Sequence, residues 1–348
     1  MLFVPPRCPY RGCRYHHSPP TRFFHRHGRY QPRCRRRPVP RFRCRSCRRT
    51  FSRQTFRFDF RDRRPSVNLP LFGLLIGGMG LRQAQRTLGV DVHTVQDKLR
   101  KLGQLCRQLH RNLSPTLPDG RTFLLDEEET FECASIRPLT MPVLIERASW
   151  FVVATAVGRI RRLALPGSAR RRRQARDERR NGRRRDESSQ RVRETMQELQ
   201  RRLHGGRFVL QTDEKGSYAA IARRLFGDRV LHETTSSELI RTTFNPLFPI
   251  NVTMAMTRDN CGRLRRRSWL VTKKASRLRA HLHVFTIYRN YVRRRFNSDL
   301  EHECPAWFLG LLPRALRPQE VLAWRQDWGP RSVHPISRSG AVSVGLVA

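Results

Sequence analysis

Two short apolar runs each end in a carboxylate: FLLD closes on Asp126 and FVLQTD on Asp213. The chain carries 71 Lys and Arg against 28 Asp and Glu, a formal net charge of +43, so acids placed this way are conspicuous. Paired carboxylates hold Mg2+ or Mn2+, and a divalent cation beside a basic surface suits chemistry on a phosphate backbone. The plainer alternative is that both acids merely end strands. A second group of metal-ligating residues lies near the N-terminus. Cys8 and Cys13 in CPYRGC, with Cys44 and Cys47 in RFRCRSCRRTFS, form two close pairs separated by 30 residues. Four thiolates so arranged can close a tetrahedral Zn2+ site. The segment is dominated by Arg and Pro and shows almost no apolar core, so the metal is expected to supply its folding energy. Cys34, His16, His17, His25 and His27 lie between the pairs and could replace one ligand. Free thiols in a basic arm are the remaining alternative.

The elements that must position these groups follow from periodicity. From residue 121 the pattern is that of strands, in TFLLDEEETFE, SWFVVATAV and RFVLQTDEKGSY. Between the last two lies an Arg-rich stretch. Its first half, about 167–188, reads as a solvated loop and its second, from Ser189, as a helix. Strands ending in acids on either side of strand and helix material suggest a mixed sheet of the ribonuclease H-like kind. Such a sheet could bring Asp126 and Asp213 onto adjacent strands although they are 87 positions apart.

Upstream, residues 69–113 are helical in period, with Leu81, Ala84, Leu88, Val92, Val95, Leu99 and Leu102 on one stripe and a break at Gly89. A helix, a Gly-containing turn and a second helix starting near Asp91 make a helix-turn-helix. His93, Thr94, Gln96, Asp97 and Arg100 would face outward where side chains reach base edges. A plain helical hairpin used for dimerisation is the alternative.

Only five of the basic residues are Lys; the Arg excess suits a nucleic-acid partner but would also follow from a GC-rich genome, whereas the net charge favours nucleic acid over an anionic membrane surface under either explanation. The longest apolar run, residues 69–81, is too short and Gly-rich to span a bilayer, and the N-terminus lacks the features of a signal peptide. A cytosolic location is expected, where nine Cys are better read as ligands or core residues than as disulfides.

In succession, CPYRGC, RFRCRSCRRTFS, GLRQAQRTLGVDVHTV, LLDEEETFE, LQTDEKGSY and NPLFPINVTMAMTRDNCGRLRRRSW resemble the DDE transposases of bacterial insertion sequences, of the insertion-sequence-one type. The resemblance runs on through CPAWFLGLLP and the ending WRQDWGPRSVHP. It implies a multidomain protein: a zinc ribbon and basic arm (1–62), an all-α helix-turn-helix for terminal inverted repeats (63–118), an α/β ribonuclease H-like catalytic domain with mixed sheet (119–298), and a C-terminal tail (299–348). It further implies a bacterial, nucleoid-associated protein acting as a homo-oligomer, with catalytic Mg2+ held by Asp126 and Asp213. The third acid departs from the pattern. The family's Glu falls at Asn251, which is neutral, and Asp259 is the nearest downstream acid, eight residues along the helix. Either position, another residue, or none could complete the site. Arg263, Arg265, Arg266, Arg267, Lys273 and Lys274 would then meet DNA phosphates near the metals, unless they form a solvated basic face. Trp269, Phe285, Tyr288 and Tyr291 are expected in the core. A catalytically inactive or domesticated DNA-binding derivative, and a stand-alone nuclease, are the competing functions.

Overall fold

The computed structural model describes residues 3–32, 37–236, 238–240, 242–265 and 270–325. Cys34, Arg266, Arg267 and Trp269, and the chain past Arg325, lie outside the described residues. Two compact units divide the chain: residues 1–70 with the segment from Arg317, and residues 71–316.

The first unit is built on a three-stranded antiparallel sheet of β1 (Phe24–Tyr30), β2 (Val39–Cys44) and β3 (Thr50–Ser52), in that order, preceded by the single-turn helix α1 (Arg14–His17). Strand alternation sorts the basic sequence of β2: Phe42 and Cys44 turn inward while Arg41 and Arg43 are only partly covered. Phe23, Phe42, Phe51 and Phe56 are all buried, with ring centroids 5.9–6.2 Å apart for Phe42–Phe51 and Phe23–Phe51. The expectation of almost no apolar core is therefore corrected. The core is aromatic, and it is hidden in the sequence because each Phe is interleaved with Arg.

The second unit holds a mixed sheet in the order β6-β5-β4-β8-β9, where β4 is Thr122–Phe131, β5 Pro138–Glu146, β6 Val152–Thr155, β8 Phe208–Asp213 and β9 Val230–Thr235. The two-residue β7 (Gly158–Arg159) also pairs with β5. β4, β5 and β6 are antiparallel neighbours, whereas β4–β8 and β8–β9 are parallel. Three antiparallel strands followed by two parallel ones, with helices on both faces, are consistent with a ribonuclease H-like domain. β5 is buried along its whole length despite Pro138 and Pro142. The carbonyl of Pro142 accepts from Ala156 N (3.1 Å), between β6 and β7. Its missing N–H thus faces the gap in the outer strand, where no ladder bond is forfeited.

Alternation splits β4 between two faces. Leu124 and the facing residues Met141, Val143 and Ile145 of β5 pack with Ile250 and Met254 of α8 (Phe248–Asn260) and with Leu278, Leu282 and Phe285 of α9 (Ala275–Ile287). The opposite face is covered by α6 (Ser188–Gln200), which in turn packs against α7 (Ser217–Phe226). The stretch expected as a solvated loop contains a helix, α5 (Ala169–Asn181), started by the Ser168 side chain accepting from Arg171 N. Sequence reasoning missed it because its anchoring partners lie far away in the chain.

The helical run 69–113 breaks twice, giving α2 (Asn68–Ile76), α3 (Leu81–Leu88) and α4 (Val92–Leu113). Gly89, at φ 58°, ends α3 with Gly89 N bonded to Arg86 O and Val90 N to Gln85 O, a Schellman closure that glycine accepts without strain. Asp91 caps α4 through His93 N at 2.7 Å. Val95, Leu99 and Leu102 are fully buried, and so are Leu105 and Cys106 beyond them. α4 lies along α9 so closely that a Cβ on Gly103 would sit 2.7 Å from Ala280 Cα. At its far end His110 contacts Tyr291 Oη (2.9 Å) and the Val153 carbonyl (2.9 Å). Of the aromatics expected inside, Phe285 and Tyr291 are buried and Tyr288 is half-buried.

Candidate metal centres

The thiols of Cys8, Cys13, Cys44 and Cys47 all lie within 4.8 Å of one another. Two of the separations, Cys8–Cys47 and Cys13–Cys44, are 3.7 Å each. A tetrahedron with Zn–S bonds of about 2.3 Å has S···S edges of about 3.8 Å, so the donor set fits zinc closely, and the sulfurs are too far apart for disulfides. Two local turns build it. Cys13 N donates to Tyr10 O (3.0 Å), closing the first turn, and Arg48 N donates to Cys44 O (3.0 Å), closing the second, with Arg48 at φ 59°. Burial pushes the Cys8 and Cys44 thiols up. At Cys13 burial is outweighed by hydrogen bonds with the Tyr15 backbone, Ser46 and Cys44, which bring it to about 7. His16 is not a ligand here: its Nδ1 contacts the Cys8 carbonyl at 2.7 Å. His17, His25 and His27 are also outside the cluster.

The second centre forms where β4 and β8 run in parallel. Their register, Thr122 with Val209 through Leu124 with Gln211, places Asp126 opposite Asp213 two residues further on. Both side chains therefore leave the sheet on the face covered by α8. Asp126 is pushed up to about 6 by burial, by Asp213 and by Glu127 and Glu128, against the opposing bond from Glu127 N at 2.6 Å. Asp213 is held by Lys215 N at 3.1 Å. The charged neighbours that raise Asp126 are carboxylates, and two acids placed in this way are a donor set that suits a hard divalent cation. Among the described residues no third Cys, His or carboxylate closes on this pair as tightly as the four thiols close on each other.

Glu127, unnoticed in the sequence, fastens the pair from the opposite face. Its carboxylate accepts from Lys215 Nζ, from Thr140 Oγ1 (2.5 Å), from Ser188 Oγ (2.9 Å) and from Tyr218 Oη (2.9 Å). Burial would raise Glu127, but these bonds, led by Lys215, hold it below the usual carboxylate range. The residue after Asp126 is thus tied to the second residue after Asp213. The clue available was that Lys215 is one of only five lysines.

On α8, Asn251 and Arg258 are seven residues apart, close to two turns, and share a face. Arg258 directs that face toward β4, donating to Glu128 at 2.5 Å. Asp259 is turned about 100° away and is exposed. The helix register thus puts Asn251, and not Asp259, on the face that Arg258 turns toward β4. Among the basic residues, Arg265, Lys273 and Lys274 are exposed. Arg263 is not, which corrects its assignment to phosphate contact: its Nε donates to His281 Nδ1 (3.3 Å), while His281 Nε2 donates to the Leu75 carbonyl (3.0 Å). Burial, assisted by Arg263, lowers His281 to about 3, which keeps the ring neutral in this relay. On α4, His93, Asp97 and Arg100 are exposed, whereas Thr94 and Gln96 are half-buried. No described helix is long and apolar enough to cross a membrane.

No known family matches the sequence, and no characterised protein does. Among solved structures, a crystal structure of a pre-cleavage Mos1 transpososome is similar at 12% identity, over 63% of this chain and 75% of that one, with a TM-score of 0.18. A superposition at that score supports no argument about fold or activity, so the chain's function has to be read from its own residues.

Proposed function

We propose that the protein is a DDE-type transposase that binds the terminal inverted repeats of an insertion sequence and cuts and rejoins DNA. The observation that carries this reading is the Asp126–Asp213 pair, in register on adjacent parallel strands, with Asp126 raised to about 6 by burial and like charge. Mg2+ or Mn2+ held there would supply an activated oxygen nucleophile and neutralise charge on the phosphodiester. The chain's own residues do the positioning. Glu127 and Lys215 lock the two acid-bearing strands together. Arg265, Lys273 and Lys274 offer cations to double-stranded DNA, and His93, Thr94, Gln96 and Arg100 offer base contacts from the start of α4. Zn2+ in the four-thiol site has a structural role. A homo-oligomer holding both element ends, working in the bacterial cytoplasm at the nucleoid, completes the proposal.

Asn251 favours one other reading, a catalytically inactive or domesticated DNA-binding derivative, because a neutral amide stands on the helix face that looks toward the acids. The test is strand cleavage and transfer on DNA bearing the inverted repeats that flank the gene, with Mg2+ and with Mn2+. Cleavage and joining at the ends support the transposase. End binding without chemistry under either ion supports the derivative, and cleavage indifferent to ends supports a nuclease.

A further inference from the structure

We infer that α5 is a dedicated docking surface for the phosphate backbone of the DNA duplex presented to the Asp126–Asp213 pair, separate from the reading helix α4. This rests on the proposed strand-cleavage reading and adds to it where the substrate lies.

The helix is amphipathic in charge. Gln174 is buried and bonds Ala164 N (3.2 Å) and Arg162 O (3.1 Å). Both acids of α5 point inward with it: Asp177 is paired with Arg137, and Glu178 with Arg161 at 2.8 Å. Opposite them, Arg172, Arg176, Arg179 and Arg180 occupy a sector of about 100°. All four are exposed, and none has a carboxylate partner among the described residues. The outer face thus carries cations and no acid. Like charges at i, i+3 and i, i+4 spacing oppose the helix, which stays formed because its inner face is anchored. A self-repelling row held rigid in this way is matched by a polyanion, not by water alone.

Its place in the fold indicates which polyanion. Arg162, in the lead-in to α5, pairs with Glu129 of β4 at 2.6 Å, and Arg184, just beyond it, donates to the Pro138 carbonyl at 3.0 Å. Glu129 lies three residues past Asp126, about 10 Å along the strand. Strand alternation turns Glu129 to the face opposite Asp126, so α5 is tied to the stretch of β4 that runs on past the acids and flanks them from that side. A duplex engaged at the acids and extending past that end of the sheet would run its backbone along these arginines.

The test uses the full-length protein, a 30-base-pair duplex of arbitrary sequence and no divalent ion, so that binding is read without chemistry. Replacing Arg172, Arg176, Arg179 and Arg180 by Gln should lower the slope of log K against log salt by about 2 to 4, and weaken binding at 0.15 M salt at least about tenfold. The melting temperature should not fall, because self-repulsion is removed. In the unaltered protein, duplex DNA should also protect these four arginines from phenylglyoxal, which needs no variant. An unchanged slope in a folded variant, or no protection, overturns the inference alone. If the unaltered protein shows no salt-dependent duplex binding, the transposase reading falls with it.

Discussion

Four thiols in one unit and two carboxylates in the other are both crowded sets of metal-ligating groups, and they are built in opposite ways. The thiols form a closed tetrahedron, set by two local turns and backed by Phe23, Phe42, Phe51 and Phe56. The carboxylates form an open pair, set by the register of two strands far apart in sequence, and the face of α8 that Arg258 turns toward β4 carries a neutral Asn251. A closed set has no position left for substrate and serves stability. An open one leaves coordination positions for water and phosphate at a cost to the fold.

The largest expected effect separates the two by activity. Asp126→Asn or Asp213→Asn should lower metal-dependent strand cleavage by about a thousandfold or more while leaving DNA affinity in place. Gel-based cleavage beside a binding titration checks this, and cleavage that survives either change removes the acid pair from the mechanism. Next, Cys44→Ser should lose one bound zinc per chain and lower the stability of the N-terminal unit by several kcal/mol, on the order expected for a structural metal, leaving the melting of residues 71–316 unchanged. Metal analysis and calorimetry would break the comparison if the variant kept its metal, or if the aromatic core alone held the unit at full stability.

A smaller effect has the opposite sign. A folded-state value of about 6 for Asp126, above its ordinary 3.8, means the fold prefers the protonated form. The associated stability is fully present below about pH 4 and is lost as pH rises through 6. Asp126→Asn should therefore stabilise the metal-free protein at pH 7.5, by no more than about 3 kcal/mol, and change little at pH 4. Mg2+ should raise the melting temperature of the unaltered protein but not of this variant. A loss of stability at pH 7.5 would show the carboxylate to be structural, like the thiols. The smallest effect sharpens the open site itself. Asn251→Glu should lower the Mg2+ concentration for half-maximal cleavage several-fold, because a third carboxylate adds charge to the pair, whereas Asp259→Asn should change it little. The reverse result would place the third ligand at Asp259 and the helix register elsewhere.

What the sequence by itself determined lies within a few residues of each motif. Paired cysteines announce the thiol cluster, Gly89 and Asp91 the turn into α4, and the apolar runs before Asp126 and Asp213 the two strands. These features are set by backbone geometry over one turn or one strand, and spacing alone reports them. Other features were decided only in three dimensions. β5 is illegible because its prolines argue against a central strand until the gap between β6 and β7 is seen to face Pro142. α5 is illegible because its Arg run looks solvated until Arg137 and Arg161, 40 and 17 residues away from their partners, take up its acids. The same holds for Arg263, buried against His281, and for Glu127, one of a row of acids until Lys215 arrives from 88 residues off. Burial and ion pairing depend on which distant segments the sheet order brings together, so the same residue type is solvated in one place and anchored in another. That choice is made by tertiary contacts, which local spacing does not encode.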